Sequence, residues 1–546
     1  MGRIVERRIG LLFAAFLLLI GAAVLRATWL GTVDASSLKL RAVSQQTEDL
    51  TVPARRGTIT DRDGVELAVS EDAVTVFANP FLIKRPARAA ARLAPLLGLP
   101  EQELLRKLAE RDRGFVYLRR KLDPIAGERV ERLRMEGIGT VVEPRRVYPQ
   151  GSLASQLIGS VGTDNYGLSG LEQSLDGHLR GRDGRRRVVK DALGEPVNIA
   201  EVQRTESGSD VRLTIDATLQ ERVEAVLAEV GATFRPRGAT AVVLDPRTGA
   251  TLALGNWPRV DPADIGAAPA TARQNQAVVS SYEPGSTFKA FTVSGALSER
   301  LITPRTEFSL PPTIQVADRV IKEAHERGAV TLSVAQILAQ SSNIGSVRIG
   351  LELGARRFDR WVRRFGFGRP TGVGLPGEAP GIVPRPRDYS GSSMGNLPIG
   401  QGLAVTPIQM AAAYTAIANG GVMHEPFVIA GHRGRARRVL SRRVATQVSR
   451  MLEGVLGPGG TAQEAQIEGY HLAGKTGTAQ KAEDGGYSKT KYVASFIGYA
   501  PARNPRLLVA VMVDEPQGSI YGGAVAAPAF ERIVSFALPY LRIPPD

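Results

Sequence analysis

The sequence predicts an α+β protein tethered by one N-terminal transmembrane helix, and three observations carry that prediction. Residues Ile9 to Leu25 form an uncharged run of mostly Leu, Ala, Phe, Ile and Val, and the apolar character resumes after Arg26 as far as Leu30. Two apolar hairpins, over 241–254 and 492–513, lie far apart in the chain. A long helical stretch separates them. Strands at both ends of a segment with helices between them make one antiparallel sheet, closed by distant parts of the chain, with helices packed on it.

Length and composition set the bounds. A chain of 546 residues is long enough for several buried cores. Hydrophobic residues are 43% and charged residues 23%, which fits ordered globular structure and excludes wholesale disorder. There is no Cys, which excludes a disulfide framework, a thiolate metal site, an iron–sulfur cluster and a Cys nucleophile. Lys and Arg number 69 against 54 Asp and Glu, a net charge of +15. That balance suits nucleic acid on one reading and an anionic membrane and cell-wall surface on the other.

The N-terminal run decides between them. About 20 apolar residues span a bilayer core. Arg3, Arg7 and Arg8 precede the run, which keeps the short tail cytoplasmic. No clean small-x-small cleavage site follows, so the helix reads as a retained anchor rather than a signal peptide. The expected organisation is a cytoplasmic tail (1–8), a transmembrane helix (9–30), a first extracytoplasmic module (31–207) and a larger domain (208–546). The basic residues are then on the wrong side for nucleic acid, and they are scattered, so no nucleic-acid partner is expected.

In the first module, polar residues 35–50 suit a juxtamembrane stalk. Thr58 to Leu67 reads as strand, turn, strand around Asp63-Gly64. Residues 86–136 look helical and charged, and 151–184 is Gly-rich with turn signals at Asp164-Asn165 and Asp183-Gly184. No catalytic pattern shows there. In the larger domain, Val211 to Ile215 alternates like a strand, and Leu219, Val223, Val226, Leu227 and Val230 form one helix face. Pro528 to Leu538 suits a closing helix, with Pro528 in its first turn and Pro539 ending it.

Chemistry concentrates at three places. Ser286-Thr287-Phe288-Lys289 follows Glu283-Pro284-Gly285, and Lys289 to Leu297 reads as an apolar helix. Ser286 then sits in the first helical turn, where free N–H groups favour a developing oxyanion. Spacing of three puts the Lys289 amine on the face of the Ser286 hydroxyl, and a desolvated Lys can be neutral enough to take its proton. Ser341-Ser342-Asn343 follows a helical stretch over Thr331 to Gln340. Ser341 suits a proton shuttle, and Asn343 a hydrogen bond to Lys289 and to a substrate amide; alternatively these are helix caps. Lys475-Thr476-Gly477-Thr478 precedes the C-terminal hairpin. On a strand edge, Gly477 admits a substrate backbone, Thr478 offers an N–H to an oxyanion, and Lys475 with the Thr hydroxyls suits a carboxylate. An exposed turn is the alternative. Gly469 with Gly474-Lys475-Thr476 also satisfies the phosphate-binding P-loop pattern, but no strand precedes it, and Ala479 to Ser488 reads as a loop where a helix is needed. The histidines (His178, His325, His424, His432 and His471) do not pair at metal-ligand spacing, so neither a metal nor a cofactor is expected.

Each motif is weak alone. In this order and at these separations they resemble the S-x-x-K, S-D-N and K-T-G set of penicillin-binding proteins and class A β-lactamases, with Ser342 at the place of the Asp. Arg56 to Gly64, Tyr148-Pro149, Gly159, Gly170-Leu171-Glu172, Leu213 to Asp216, Gly400-Gln401-Gly402 and Thr406-Pro407 extend the resemblance to class B penicillin-binding proteins over nearly the whole chain. Tyr521-Gly522-Gly523 looks like the monofunctional division type. The resemblance implies a pedestal or dimerisation-type module over 31–207 and a penicillin-binding, serine β-lactamase-like transpeptidase domain over 208–546. It implies a peptidoglycan D,D-transpeptidase of septal synthesis. Ser286 would attack the bond between the last two D-alanines of a stem peptide, on lipid-linked or nascent glycan, with Lys289 as base. β-Lactams would acylate the same Ser286. Implied partners are the membrane, a SEDS-family glycan polymerase and other division proteins. An elongation-type transpeptidase, a D,D-carboxypeptidase, a β-lactamase or sensor, and a non-catalytic division scaffold are the alternatives.

Overall fold

The computed structural model describes residues 2–32, 47–110, 112–190, 196–483 and 486–546. Most of the expected stalk, 35–46, lies outside them. The N-terminal helix covers Gly2–Thr32, and its Arg7–Thr32 stretch is long and apolar enough to cross a membrane. The chain divides into two compact units. The smaller comprises Met1–Arg55, Asp72–Pro144 and Gly181–Gly208, and the larger Arg56–Glu71, Arg145–Arg180 and Ser209–Asp546.

In the smaller unit, strands Thr47–Val52, Gly184–Lys190 and Pro196–Gln203 form an antiparallel sheet. Helices Pro86–Leu97, Glu101–Ala109 and Pro124–Glu131 bury Leu93, Leu97, Leu104, Leu108 and Val130 in one core. The helical expectation for 86–136 fails in the middle, where Val116–Leu122 is a strand paired with Val74 to Ala78. Its Arg119, Arg120 and Lys121 gave the segment a charged helical look. Val116, Tyr117 and the buried Leu118 supply β propensity, and the neighbouring strand decides the outcome.

The N-terminal part of the larger unit contains the expected hairpin. Ile59 and Thr60 pair with Ala68 and Glu66. Asp61 fixes the turn: its Oδ1 accepts from the Asp63 and Val65 amides at 2.8 Å each, and its Oδ2 accepts from Ala217 N at 3.0 Å. Nearby, the Arg56 guanidinium is saturated. It meets Glu172 at 2.8 Å and Asp176 at 2.6 Å, and donates to the Asn165 carbonyl at 2.7 Å. Arg146 binds the other Glu172 oxygen at 2.6 Å.

The rest of this unit is built on one five-stranded antiparallel sheet. After helix α1 (Ala217–Phe234) come β1 (Gly238–Leu244) and β2 (Thr251–Trp257). The sheet is completed far along the chain by β3 (Ala473–Glu483), β4 (Gly486–Ala500) and β5 (Leu507–Asp514), in the order β2-β1-β5-β4-β3. The closure by distant segments is thus as the hairpins predict, and β3 is an edge. The last helix (Gly522–Tyr540) packs with α1 and along β4. It starts six residues before the expected Pro528, which is interior. Burial of Val525, Phe530, Ile533 and Val534 outweighs the roughly 3 kcal/mol that an interior Pro costs.

Two further expectations shift. Thr331 to Ser333 belong to a strand, Val330–Ser333, paired with Glu307–Leu310, and the helix is only Val334–Ala339. Ser333 stops the strand because its side chain and Gln336 form a reciprocal cap. The stretch after Thr478 is not a loop, because β3 continues to Glu483 and pairs with β4.

Candidate active site

Gly285–Phe288 forms a tight helical turn that runs directly into α2 (Lys289–Ser298). Gly285 has φ +52°, the left-handed region that Gly tolerates, and a Cβ there would lie 3.2 Å from the Thr478 carbonyl oxygen. The turn is therefore pressed against β3. Gly477 is required for the same reason: a side chain on it would collide with Ser495 Oγ and meet the Pro284 carbonyl oxygen at 3.0 Å. Gly477 lies opposite Ser495 in the β3–β4 register. Side chains alternate along a strand, so Lys475 shares the inner side with Gly477 while Thr476 and Thr478 face the other way. Ser286, Ser341, Asn343, Thr476 and Thr478 all line one open groove of about 1220 Å³.

The two lysines are wholly buried. Lys289 Nζ donates to Ser341 O at 2.7 Å, Ser341 Oγ at 3.3 Å and Asn343 Oδ1 at 2.7 Å. All three acceptors are neutral. Burial brings Lys289 down to about 7, with Arg327 adding to the depression and Glu323 opposing it. Lys475 donates to Thr476 O and Oγ1 at 3.3 Å each, and Thr476 Oγ1 lies 2.7 Å from Thr461 Oγ1. Burial holds Lys475 well below its ordinary value, and the charge of Lys289 pushes the same way.

Ser341 has φ +61°, unusual for a residue with a side chain, which turns its carbonyl and hydroxyl together toward Lys289. Ser342 and Asn343 open helix α3 (Asn343–Leu353), so the cap reading and the site reading both hold. Ser342 Oγ caps Gly345 N at 3.0 Å and donates to Glu323 Oε1 at 2.6 Å. Asn343 donates its backbone N–H to Glu323 Oε2 at 2.7 Å and its amide Nδ2 to the Lys322 carbonyl at 2.9 Å. Arg327 pairs with Glu323 at 2.5 Å. Glu323, Arg327 and Thr461 are therefore positioning residues that the sequence reading missed. They stand in loops with no motif, and only Gln315-to-Arg327 folding beside α3 brings two of them in. Thr478 Oγ1 accepts from Gly522 N at 3.0 Å, which ties the start of the last helix to β3. His325 faces Tyr521 at 5.6 Å across the groove. Among the described residues no cluster of His, Asp and Glu suits a metal ion.

A serine that lines the groove one turn before a buried amine of lowered basicity, with a second buried amine on a neighbouring strand edge, suits acyl transfer. Comparison with known proteins gives the particular family. Residues 239–535 match the penicillin binding protein transpeptidase domain, and residues 51–213 match the penicillin-binding protein dimerisation domain. The probable peptidoglycan D,D-transpeptidase PenA of Neisseria meningitidis is 33% identical over 98% of this chain and 93% of that protein. The peptidoglycan D,D-transpeptidase FtsI of Escherichia coli K12 is 32% identical over 99% and 92%. Penicillin binding protein 3 of Mycobacterium tuberculosis, solved with aztreonam, is 31% identical, with a TM-score of 0.71 over 91% of this chain and 98% of that one. This chain belongs to the class B penicillin-binding proteins, the monofunctional peptidoglycan D,D-transpeptidases. With its apolar N-terminal helix it is a membrane-anchored member.

Proposed function

We propose that this transpeptidase works through Ser286 in septal wall synthesis. Ser286 attacks the carbonyl between the two terminal D-alanines of a stem peptide, and Lys289 takes its proton. Ser341 passes a proton to the departing D-alanine, and Asn343 holds Lys289 and a substrate amide. The Ser286 and Thr478 amides receive the oxyanion. Gly477 admits the substrate backbone, and Lys475 with Thr476 and Thr478 binds the terminal carboxylate. An amine of a neighbouring stem then attacks the acyl-enzyme and forms the cross-link. β-Lactams acylate the same Ser286.

One observation carries the assignment: Lys289, one turn after Ser286, is wholly buried with three neutral acceptors and is brought down to about 7. An amine in that state accepts a proton at physiological pH. The likeness to FtsI supports the septal role. Arg3, Arg7 and Arg8 support a cytoplasmic N-terminus with the catalytic domain outside. Residues 10–207 then carry surfaces for a SEDS-family glycan polymerase and other division proteins.

The test is Ser286→Ala in the full chain. A fluorescent penicillin is expected to label the wild type covalently and the variant not at all, with unchanged melting. Labelling that persists in a folded variant refutes the nucleophile. A tagged copy at midcell supports the septal role, and one spread along the sidewall refutes it.

A further inference from the structure

The two threonines of β3 that line the groove are each held by a neighbouring donor. Thr476 Oγ1 accepts from Lys475 Nζ at 3.3 Å and lies 2.7 Å from Thr461 Oγ1. Thr478 Oγ1 accepts from Gly522 N at 3.0 Å. Thr476 and Thr478 are two apart on one strand, so their side chains stand on the same face. Thr461 and Gly523 line the same groove.

The holding elements also press on one another. A Cβ on Gly523 would collide with the Thr461 carbonyl oxygen, and a Cβ on Gly522 with the carbonyl oxygens of Gly477 and Ser495. The glycine pair that follows Tyr521 thus has a physical reason. It lets the last helix start against β3 and against Thr461 at a distance that no side chain permits.

A count of hydroxyl hydrogens shows what this frame does. Each hydroxyl has one hydrogen and two lone pairs. Thr476 Oγ1 gives one lone pair to Lys475, and Thr478 Oγ1 gives one to Gly522. One hydrogen joins Thr461 to Thr476. That leaves one hydrogen of this pair, and the hydrogen of Thr478, with no acceptor among the described residues. A carboxylate against β3 takes both. It draws the Thr476 hydrogen to itself, because a charged acceptor binds more strongly than a hydroxyl. Thr461 then donates to the second lone pair of Thr476, which is held by two donors with its own hydrogen on the ligand.

We propose that Thr461, set in place by Gly523, is a positioning residue for the substrate carboxylate: by donating to Thr476 it commits the Thr476 hydrogen to that carboxylate. The proposal rests on the carboxylate-binding role given above to Lys475, Thr476 and Thr478.

The experiment follows acylation of the full chain by penicillin and by penicillin methyl ester, which lacks the carboxylate, over a range of concentrations that separates binding from acyl transfer. The wild type is expected to prefer the acid by about tenfold or more. Thr461→Val should lower the second-order rate constant for the acid about tenfold, through weaker binding rather than slower acyl transfer, and leave that for the ester within about twofold. Thr461→Ser keeps the hydroxyl and should restore the preference. Gly523→Ala displaces Thr461 with its hydroxyl intact and should lower the preference as Thr461→Val does; it carries the test if melting shows that Thr461→Val does not fold. An equal loss for acid and ester marks a merely structural role and overturns the proposal. An unchanged preference in Thr461→Val, or no recovery in Thr461→Ser, overturns it as well. A wild type labelled equally by acid and ester refutes the carboxylate role of β3, and the proposal with it, while Ser286 stands as nucleophile. A wild type that takes no label from either refutes the functional assignment itself.

Discussion

The larger unit buries charge in two places and treats it in opposite ways. Around Arg56, every buried charge is answered: Glu172 and Asp176 meet its guanidinium, and Arg146 takes the remaining Glu172 oxygen. Around Ser286, two amines are buried as deeply, and neither makes an ion pair among the described residues. A buried ion pair holds its partners charged and in place. A buried amine with neutral acceptors gives up its proton easily. The first arrangement joins chain segments more than a hundred residues apart, since Arg56 and Glu172 are 116 residues distant. The second, on the proposed mechanism, keeps an amine ready for proton transfer.

Substitutions that remove one charge from each cluster separate the two roles. Lys289→Met is expected to slow penicillin acylation by about 10²–10⁴-fold, the usual contribution of a general base. Its melting temperature should change little, because relief of the buried amine's desolvation offsets the donor lost to Ser341 and Asn343. Arg56→Met should do the reverse. It leaves Glu172 with Arg146 alone and Asp176 without its ion pair, and costs about 3–5 kcal/mol in a denaturation curve, while acylation per folded molecule is unchanged. If both variants lose stability and keep activity, the contrast is wrong. Ser342→Ala is the smallest change. It removes the hydrogen bond to Glu323, the one accepted from Arg327 and the cap on Gly345, worth about 1–3 kcal/mol, with acylation reduced only severalfold through a looser Asn343. A loss as large as that of Lys289→Met would place Ser342 in the proton path itself.

The sequence made some of this legible for local reasons. The hairpins at β1–β2 and β4–β5 are apolar runs joined by short turn segments, and both the sheet and its closure follow from them. The Ser286–Lys289 spacing is a helix property, and the turn and α2 have that geometry. What stayed hidden depends on distant contacts. Glu323 is 19 residues from Ser342 and 20 from Asn343, in a loop without periodicity. The strand at Val116–Leu122 exists because Val74 to Ala78 lies beside it. Pro528 looks like a helix start because the cost of an interior Pro is local, whereas the burial that overrides it is not.

The pH dependence of penicillin acylation tests the central claim most directly, because it reads the Lys289 proton itself. Burial favours the neutral amine, so lowering the pH refills the site with a proton and disables the base. The rate should fall about tenfold per pH unit below about 7 and level off above it. A rate that is flat from pH 5 to 9, or one that keeps climbing toward 10.5, the ordinary lysine value, contradicts the account.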